Sequence, residues 1–257
     1  SVVQRFLEIF RKQKLTETVL KKDDWLSITL DKNVYNLSNI VLDEKYCLVK
    51  KVEKLCEEFL DQDLFIFTKI RTDLIEQIHL IEEIGFNLID TNIFFQKSGE
   101  IKLENHSQDN IDIKFADLSH KNSVGLLAYE NFLFSRFHLD PFIKNSCADA
   151  LKQKWVENFF LGNRGDKMII AEYEKEPIAF LQLIQDANNL IIDMIAVSKL
   201  HQGKKIASSM IYFASKKLDH EKISVGTQIS NIPSIQLYQS LGFKYISSDY
   251  VFHYHKK

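Results

Sequence analysis

Two stretches near the end of the chain combine residue types and spacings suited to chemistry. The first is the polar turn Gln202, Gly203, Lys204, Lys205, followed by Ile206 and Ala207, between the apolar run Leu190 to Val197 and an amphipathic stretch from Lys204 to Leu218. A strand that passes through a glycine-bearing turn into a helix forms an anion site. The first helical N–H groups lack partners, the helix dipole is positive there, and glycine lets a ligand approach the backbone. Ordinary strand–helix connections share this pattern, so the turn alone leaves phosphate binding as one alternative. The second stretch runs from Asn231 through Tyr238 to Gly242 and Phe243. Asn231 and Tyr238 are nearly two helical turns apart and share a face, about 10 Å from each other. A helical tyrosine is also an ordinary core residue, here beside Ile235 and Leu241.

The elements that must position these residues follow from the periodicity. Strands are expected at Lys167 to Tyr173, Pro177 to Gln185, Leu190 to Val197 and Ile223 to Gln228, with helices at Lys204 to Leu218 and Ile232 to Leu241 and strands from there to His255. Upstream lie a strand at Ile111 to Ala116 and helices at Ser119 to Phe132 and Lys144 to Leu161. Earlier still, Asp63 to Lys69 reads as a buried strand. Leu74, Ile78 and Ile81 recur at helical spacing up to Gly85, and Phe86 to Gln96 reads as a further strand.

The polar segment Ser98 to Asn110 separates these regions and is the expected linker, dividing an N-terminal α/β domain, 1–104, from a C-terminal domain, 111–257. One echo crosses that division. LIEEIGFNLIDTNIFF (80–95) matches LYQSLGFKYISSDYVF (237–252) in pattern, each a helix stopped by glycine before a strand. Two unrelated units or a structural repeat both explain it. A repeat implies that the N-terminal half is a partial copy without the phosphate turn.

Composition narrows the function classes. With 257 residues, 45% hydrophobic and 26% charged, and only 8 Gly and 3 Pro, the chain has the composition of a folded domain or two. Its 33 basic and 35 acidic side chains give a net charge of -2, which recommends neither nucleic acid nor an anionic membrane as partner. Cys47, Cys56 and Cys147 have neither zinc spacing nor an even count, which suits a reducing compartment. Arg5, Glu8, Arg11 and Lys12 break the first apolar run, predicting an amphipathic helix rather than a signal peptide, and the expected location is the cytoplasm.

From Ile111 onward the chain resembles the GNAT superfamily of N-acetyltransferases. That family's acetyl-CoA motif, Gln/Arg-x-x-Gly-x-Gly/Ala, is matched by Gln202, Gly203, Lys204, Lys205, Ile206 and Ala207, with Lys205 standing where the family has its central glycine. Its second hallmark is matched by Asn231, Tyr238, Gly242 and Phe243. The segments SRFHLDPF and ADALKQKWVENFF, with the final VFHYH, are similar to the branch that acetylates TDP-linked 4-amino-4,6-dideoxy sugars (TDP-fucosamine) for cell-surface polysaccharides.

The resemblance implies an α/β (α+β) GNAT fold, a mixed central sheet flanked by helices, and acetyl-CoA as acyl donor. It implies that Met194, Ile195, Ala196 and Val197 bind the pantetheine arm as an added strand, that Gln202 to Ala207 bind the pyrophosphate, that Asn231 holds the arm, and that Tyr238 protonates the departing thiolate. For the amine's proton, Asp193 or Glu172 is a candidate base, and so is neither. In SRFHLDPF, Arg136 can fork onto a phosphate, Phe137 stack on the base, and His138 or Asp140 meet the sugar; the plainer alternative is Arg136 paired with Asp140 in a loop. His253 and His255 share a strand face, but without a third ligand nearby no metal site is assigned. The expected partners are small molecules, with a homodimer left open. Another amine acceptor (a protein amino group, a polyamine or an antibiotic) or an acyl-CoA-binding module without turnover remains an alternative.

Overall fold

A computed structural model describes residues 17–102 and 110–256. The expected N-terminal amphipathic helix and most of the expected linker lie outside them. The first elements are β1 (Val19–Lys22), α1 (Asp24–Leu30), β2 (Asn33–Ser38) and α2 (Lys45–Glu58), none of which the periodicity had marked. Then come β3 (Leu64–Arg71), α3 (Ile75–Ile84) and β4 (Asn87–Ser98), followed by β5 (Ile111–Phe115), α4 (Lys121–Asn131), α5 (Asn145–Phe160), β6 (Lys167–Tyr173), β7 (Glu176–Asp186) and β8 (Asn189–Val197). The chain closes with α6 (Ile206–Lys217), β9 (Lys222–Gln228), α7 (Ile232–Ser240) and β10 (Lys244–His255). This is the mixed α/β architecture expected from the sequence.

The described residues fall into two compact units, and these do not divide at the expected linker. One contains 93–134 and 145–246; the other contains 17–92, 135–144 and 247–256. The reason is the course of two strands. β4 begins in the second unit and ends in the first, while β10 begins in the first and ends in the second. A boundary at 104–111 therefore separates β10 from its partner. Residues Asp249–His255 pair antiparallel with Phe65–Arg71 of β3.

In the first unit the strand order is β4-β9-β8-β7-β6-β5, and both faces are covered. Ile169, Leu181, Leu183 and Ile192 pack against Met210, Ile211 and Tyr238 of α6 and α7. The alternate residues Met168, Ile170, Phe180 and Met194 pack against Val124, Ala128 and Val156 of α4 and α5. Burial on both faces explains why these strands read as nearly continuous apolar runs. In the second unit the order is β1-β2-β3-β10. One face carries Leu37, Leu64, Ile66 and Phe252 against Leu48, Val52, Ile78 and Ile81 of α2 and α3.

The echo noted in the sequence has a structural counterpart. β1 and β2 are antiparallel, as are β7 and β8; β2 and β3 are parallel, as are β8 and β9. In each unit a helix then leads to the next strand through a glycine in the left-handed conformation, Gly85 at φ +101 and Gly242 at φ +79. The amide of the residue after each glycine closes the helix, Phe86 N donating to Ile81 O and Phe243 N to Tyr238 O. The copies differ where the phosphate turn sits. The segment before α2 bears Asp43 and Glu44 and the β2–β3 ladder runs from Asn33 to Leu37, so an anion finds there neither an open strand nor a favourable charge.

Cutting at the linker must therefore expose Val251, Phe252 and His253, each at most 1% accessible in the whole chain. Burial of such side chains contributes about 1.5–3 kcal/mol each. Residues 111–257 expressed alone are expected to lack a cooperative thermal transition, and co-expression with 1–110 is expected to restore it. A fragment that melts cooperatively like the full chain would refute this interleaving.

Candidate active site

The site is built from a disturbance in β8. Along β7 and β8 the pairing runs Gln182 with Met194 and then Leu183 with Ile192, so Asp193 is the extra residue of a bulge. Bulges strengthen local twist and bend the strand. On the other edge of β8, the parallel ladder with β9 covers only Asn189–Ile192 against Lys222–Val225, although β8 continues to Val197 and β9 to Gln228. Met194 to Val197 thus keep β7 on one side and part from β9 on the other. The Asp193 carboxylate is held by Arg164 in a two-pronged ion pair, Nε and a terminal nitrogen each 2.7 Å from an oxygen, and by Gln182 Nε2 at 3.0 Å. Its side chain has no solvent access.

Below the opening lies the turn. A short 3-10 helix (Lys199–His201) leads to Gln202, whose Nε2 donates to Val197 O at 3.0 Å and ties the turn to the strand's end. Gly203 has φ +76, and a side chain added there would meet nothing within 4 Å, so the backbone is open to a ligand. α6 begins at Ile206 rather than at Lys204 because Lys205 adopts φ +57, the left-handed conformation. The residue that departs from the family motif thus retains a conformation suited to the motif's glycine. Ile206 and Ala207 form the first turn of α6, where backbone N–H groups lack helical acceptors.

Asn231 caps α7, its side-chain oxygen accepting from Ser234 N at 3.3 Å. Tyr238 is 2% exposed and packs at centroid distances of 6.2 Å from Phe95 and 5.6 Å from Phe243. Burial pushes its phenol well above the ordinary range, so it stays protonated. Neither expected base is free. Asp193 is paired as described. Burial raises the Glu172 pKa, but Lys114 at 2.6 Å and His120 Nε2 at 3.0 Å outweigh that and hold it low.

The residues of SRFHLDPF are in the second unit. Arg136 does not pair with Asp140: its guanidinium lies 3.9 Å from the Phe67 ring centroid and 4.4 Å from that of Phe137, and NH1 is 3.3 Å from His253 Nε2. Phe137 is 1% exposed, which leaves its ring no open face for a base. Asp140, equally buried, accepts on Oδ2 from His253 Nδ1 at 2.5 Å and His255 Nε2 at 2.7 Å, and on Oδ1 from Phe142 N. His138 Nδ1 lies 2.6 Å from Ser135 Oγ. Burial opposes the Asp140 charge, but the two histidine bonds hold its pKa below the usual carboxylate range. Burial takes His253 down to about 3, and Arg136, pulled down by burial to about 9, stays cationic.

Asp140 is the third side chain that the histidine pair lacked in the sequence, and the three ligand atoms lie within 4.8 Å of one another. The protons nevertheless fit hydrogen bonding better than a metal. Arg136 donates into Nε2 of His253, which leaves the ring proton on Nδ1, aimed at Asp140. A metal on Nδ1 would move that proton to Nε2, facing another donor, and would add a dication beside a buried guanidinium.

Two expectations follow. Lys205→Gly should raise unfolding stability by about 1 kcal/mol, because glycine takes φ +57 without the side-chain clash; an unchanged or lower thermal midpoint would count against strain there. His253 is neutral in the fold down to about pH 3, whereas an unfolded histidine protonates below about 6.5, so the unfolded state binds more protons between those values and stability is lost as the pH is lowered through them. His253→Phe should flatten that acid slope in thermal melts between pH 6.5 and 4, and an unaltered slope would refute the assignment.

Comparison with known proteins agrees with this geometry. The acetyltransferase (GNAT) family profile matches residues 131–243, ending at the glycine-phenylalanine stop of α7. The spore coat polysaccharide biosynthesis protein SpsD of Bacillus subtilis (strain 168) is 25% identical over 264 residues, covering 96% of this chain and 86% of that protein. A functionally unknown conserved protein from Staphylococcus epidermidis has a TM-score of 0.65 at 15% identity, covering 96% of each chain. A GCN5-related N-acetyltransferase from Sphaerobacter thermophilus has a TM-score of 0.62 at 10% identity, covering 98% of this chain and 85% of that one. Open strand, glycine-bearing turn, Tyr238 helix and family profile fall on the same stretch: over residues 131–243 the chain is similar to the acetyltransferase (GNAT) family.

Proposed function

We propose that this enzyme moves an acetyl group from acetyl-CoA to the amine of a TDP-linked 4-amino-4,6-dideoxy sugar, in the cytoplasm and for a cell-surface polysaccharide. The observation that carries the cofactor is the parting of β8 from β9 after Ile192, directly before the open turn at Gly203. The backbone groups that the stretch Met194, Ile195, Ala196 and Val197 turns away from β7 take the pantetheine arm as an added strand, and the amides opening α6 take the pyrophosphate. Lys204 and Lys205 add positive charge at that turn. The sugar acceptor is supported by the similarity to a protein named for spore coat polysaccharide biosynthesis.

Acetyl-CoA supplies the activated thioester, and the amine attacks it directly, with no covalent enzyme intermediate. Asp193 and Glu172 are committed to ion pairs, so the amine's proton leaves through water rather than to either carboxylate. Tyr238 donates to the departing thiolate. Its pKa is raised far above a thiol's roughly 8.5, so it acts as a protonated donor across the working pH range and contributes no limb to the pH–rate profile. Arg136 recognises the acceptor's diphosphate, with His138 at the rim of the same loop.

Tyr238→Phe should lower kcat about 100-fold while leaving the acetyl-CoA KM within about twofold, the usual range for losing a positioned acid. Wild-type turnover in that variant would remove Tyr238 from the mechanism. The acceptor is tested by following CoA thiol release with TDP-amino sugars, peptides and polyamines; acetylation of peptides or polyamines but not the nucleotide sugar would overturn the proposed substrate.

A further inference from the structure

We infer that Asp140, His253 and Phe137 are positioning residues that hold Arg136 as a preformed receptor for a phosphate group. That phosphate is the acceptor's diphosphate in the function proposed above, on which the inference rests.

The surroundings of Arg136 lack the partner that a buried cation normally has. Its guanidinium is packed between the rings of Phe67 and Phe137, which restricts rotation. One nitrogen meets His253 Nε2 at 3.3 Å, a neutral acceptor that satisfies a donor but brings no negative charge. Among the described residues no carboxylate lies within ion-pair distance of it. The carboxylates that act on it, Asp23 first and then Asp140 and Asp90, do so without a hydrogen bond to it, and Asp140 is already engaged by His253, His255 and the Phe142 amide. Asp90 is 6% exposed with Oδ2 buried and without a hydrogen-bond partner, and burial raises its pKa, which weakens it as a standing counter-ion. As a residue Arg136 keeps partial solvent access, with its guanidinium set among Phe67, Phe137 and His253.

Such a cation is incomplete without an anion. A buried charge is costly when its partner is missing, and the planar fork of a guanidinium matches two phosphate oxygens. The chain of bonds behind it is directional. The Asp140 carboxylate fixes the His253 proton on Nδ1, the free lone pair on Nε2 accepts from Arg136, and the Phe137 ring fixes the guanidinium plane. Asp140 and Phe137 thereby act on Arg136 and not on the sugar or base, which also accounts for their burial.

The test is equilibrium binding to the full chain of inorganic pyrophosphate and TDP, each with the α6 turn saturated by CoA, and of CoA itself. Arg136→Met should weaken pyrophosphate and TDP about 30-fold or more and leave CoA unchanged, and Arg136→Lys should fail to restore them, since a point charge lacks the fork. Asp140→Asn and His253→Phe should each weaken TDP about tenfold and raise the acceptor KM by more than they lower kcat. Because either change in the buried pair risks unfolding, the wild-type protein supplies a second readout. The Arg136 side-chain NH resonance, assigned by its loss in Arg136→Met, should shift on adding pyrophosphate and stay in place on adding CoA. Equal pyrophosphate affinity in Arg136→Met, or a resonance that moves with CoA alone, overturns the inference. Arg136-dependent binding of pyrophosphate with TDP bound no more tightly supports the receptor and retires only the nucleotide-sugar reading.

Discussion

Asp193 is inserted into β8 as the extra residue of a bulge, with its side chain removed from water, and Arg164 and Gln182 hold it there. Much of the proposed chemistry depends on that clamp. A buried carboxylate without its cation costs several kcal/mol, roughly 3–5 when one partner of such a pair is removed. The bulge is therefore anchored by an interaction the fold cannot give up cheaply. The bend it introduces lies one residue past the last β8–β9 rung, so an otherwise continuous parallel pair opens at the point where an extended ligand can be accepted. Gly165 belongs to the same device. A side chain there would come within 3.1 Å of Gln182, and only its absence lets the Arg164 turn approach the bulge.

The turn after β8 shows backbone conformation persisting where residue identity changes. Lys205 adopts the left-handed geometry at some cost, estimated at about 1 kcal/mol for a residue with a side chain. Such a cost is tolerated where the local geometry has a use, and in the function proposed here that use is to present the amides opening α6 to a pyrophosphate. The corresponding segment of the other unit supplies the contrast. With the same order of strands and helices, it has acidic residues before α2 and a β2–β3 ladder that stays closed through Leu37. Similar architecture therefore offers the elements of an anion site only where an open strand and a favourable charge coincide.

How far the sequence revealed this varied with the kind of signal. Strands buried on both faces and helices with glycine stops were read almost to the residue, as β6 shows, because their patterns are local and repeated. β1, β2 and the helices around them were missed. β1 has four residues and β2 six, with only Val34 and Leu37 of β2 buried, too few for a period to emerge. The pairing of β10 with β3 was not legible, because a polar segment in sequence says nothing about which strand a later strand pairs with. The Arg164–Asp193 pair was invisible for the same reason. Asp193 looked like a base beside a binding strand, and its cation lay in an unremarkable turn, 29 residues earlier.

The loop of Arg136 shows how side-chain type alone misleads about role. Arg, Phe, His and Asp within five residues resemble a set of ligand contacts, one for each part of a nucleotide sugar. Folding sorts them differently. Phe137 and Asp140 are removed from solvent and spend their interactions on neighbouring side chains, and the partner of Asp140 lies 113 residues later, in β10. A residue whose hydrogen-bonding capacity is already used inside the protein has little left for a ligand, whatever its chemistry. The guanidinium is the exception in the group, because its own partners are a neutral imidazole and two rings. An unfilled electrostatic requirement is thus a sharper pointer to recognition than a cluster of polar side chains, and within this loop it falls on Arg136.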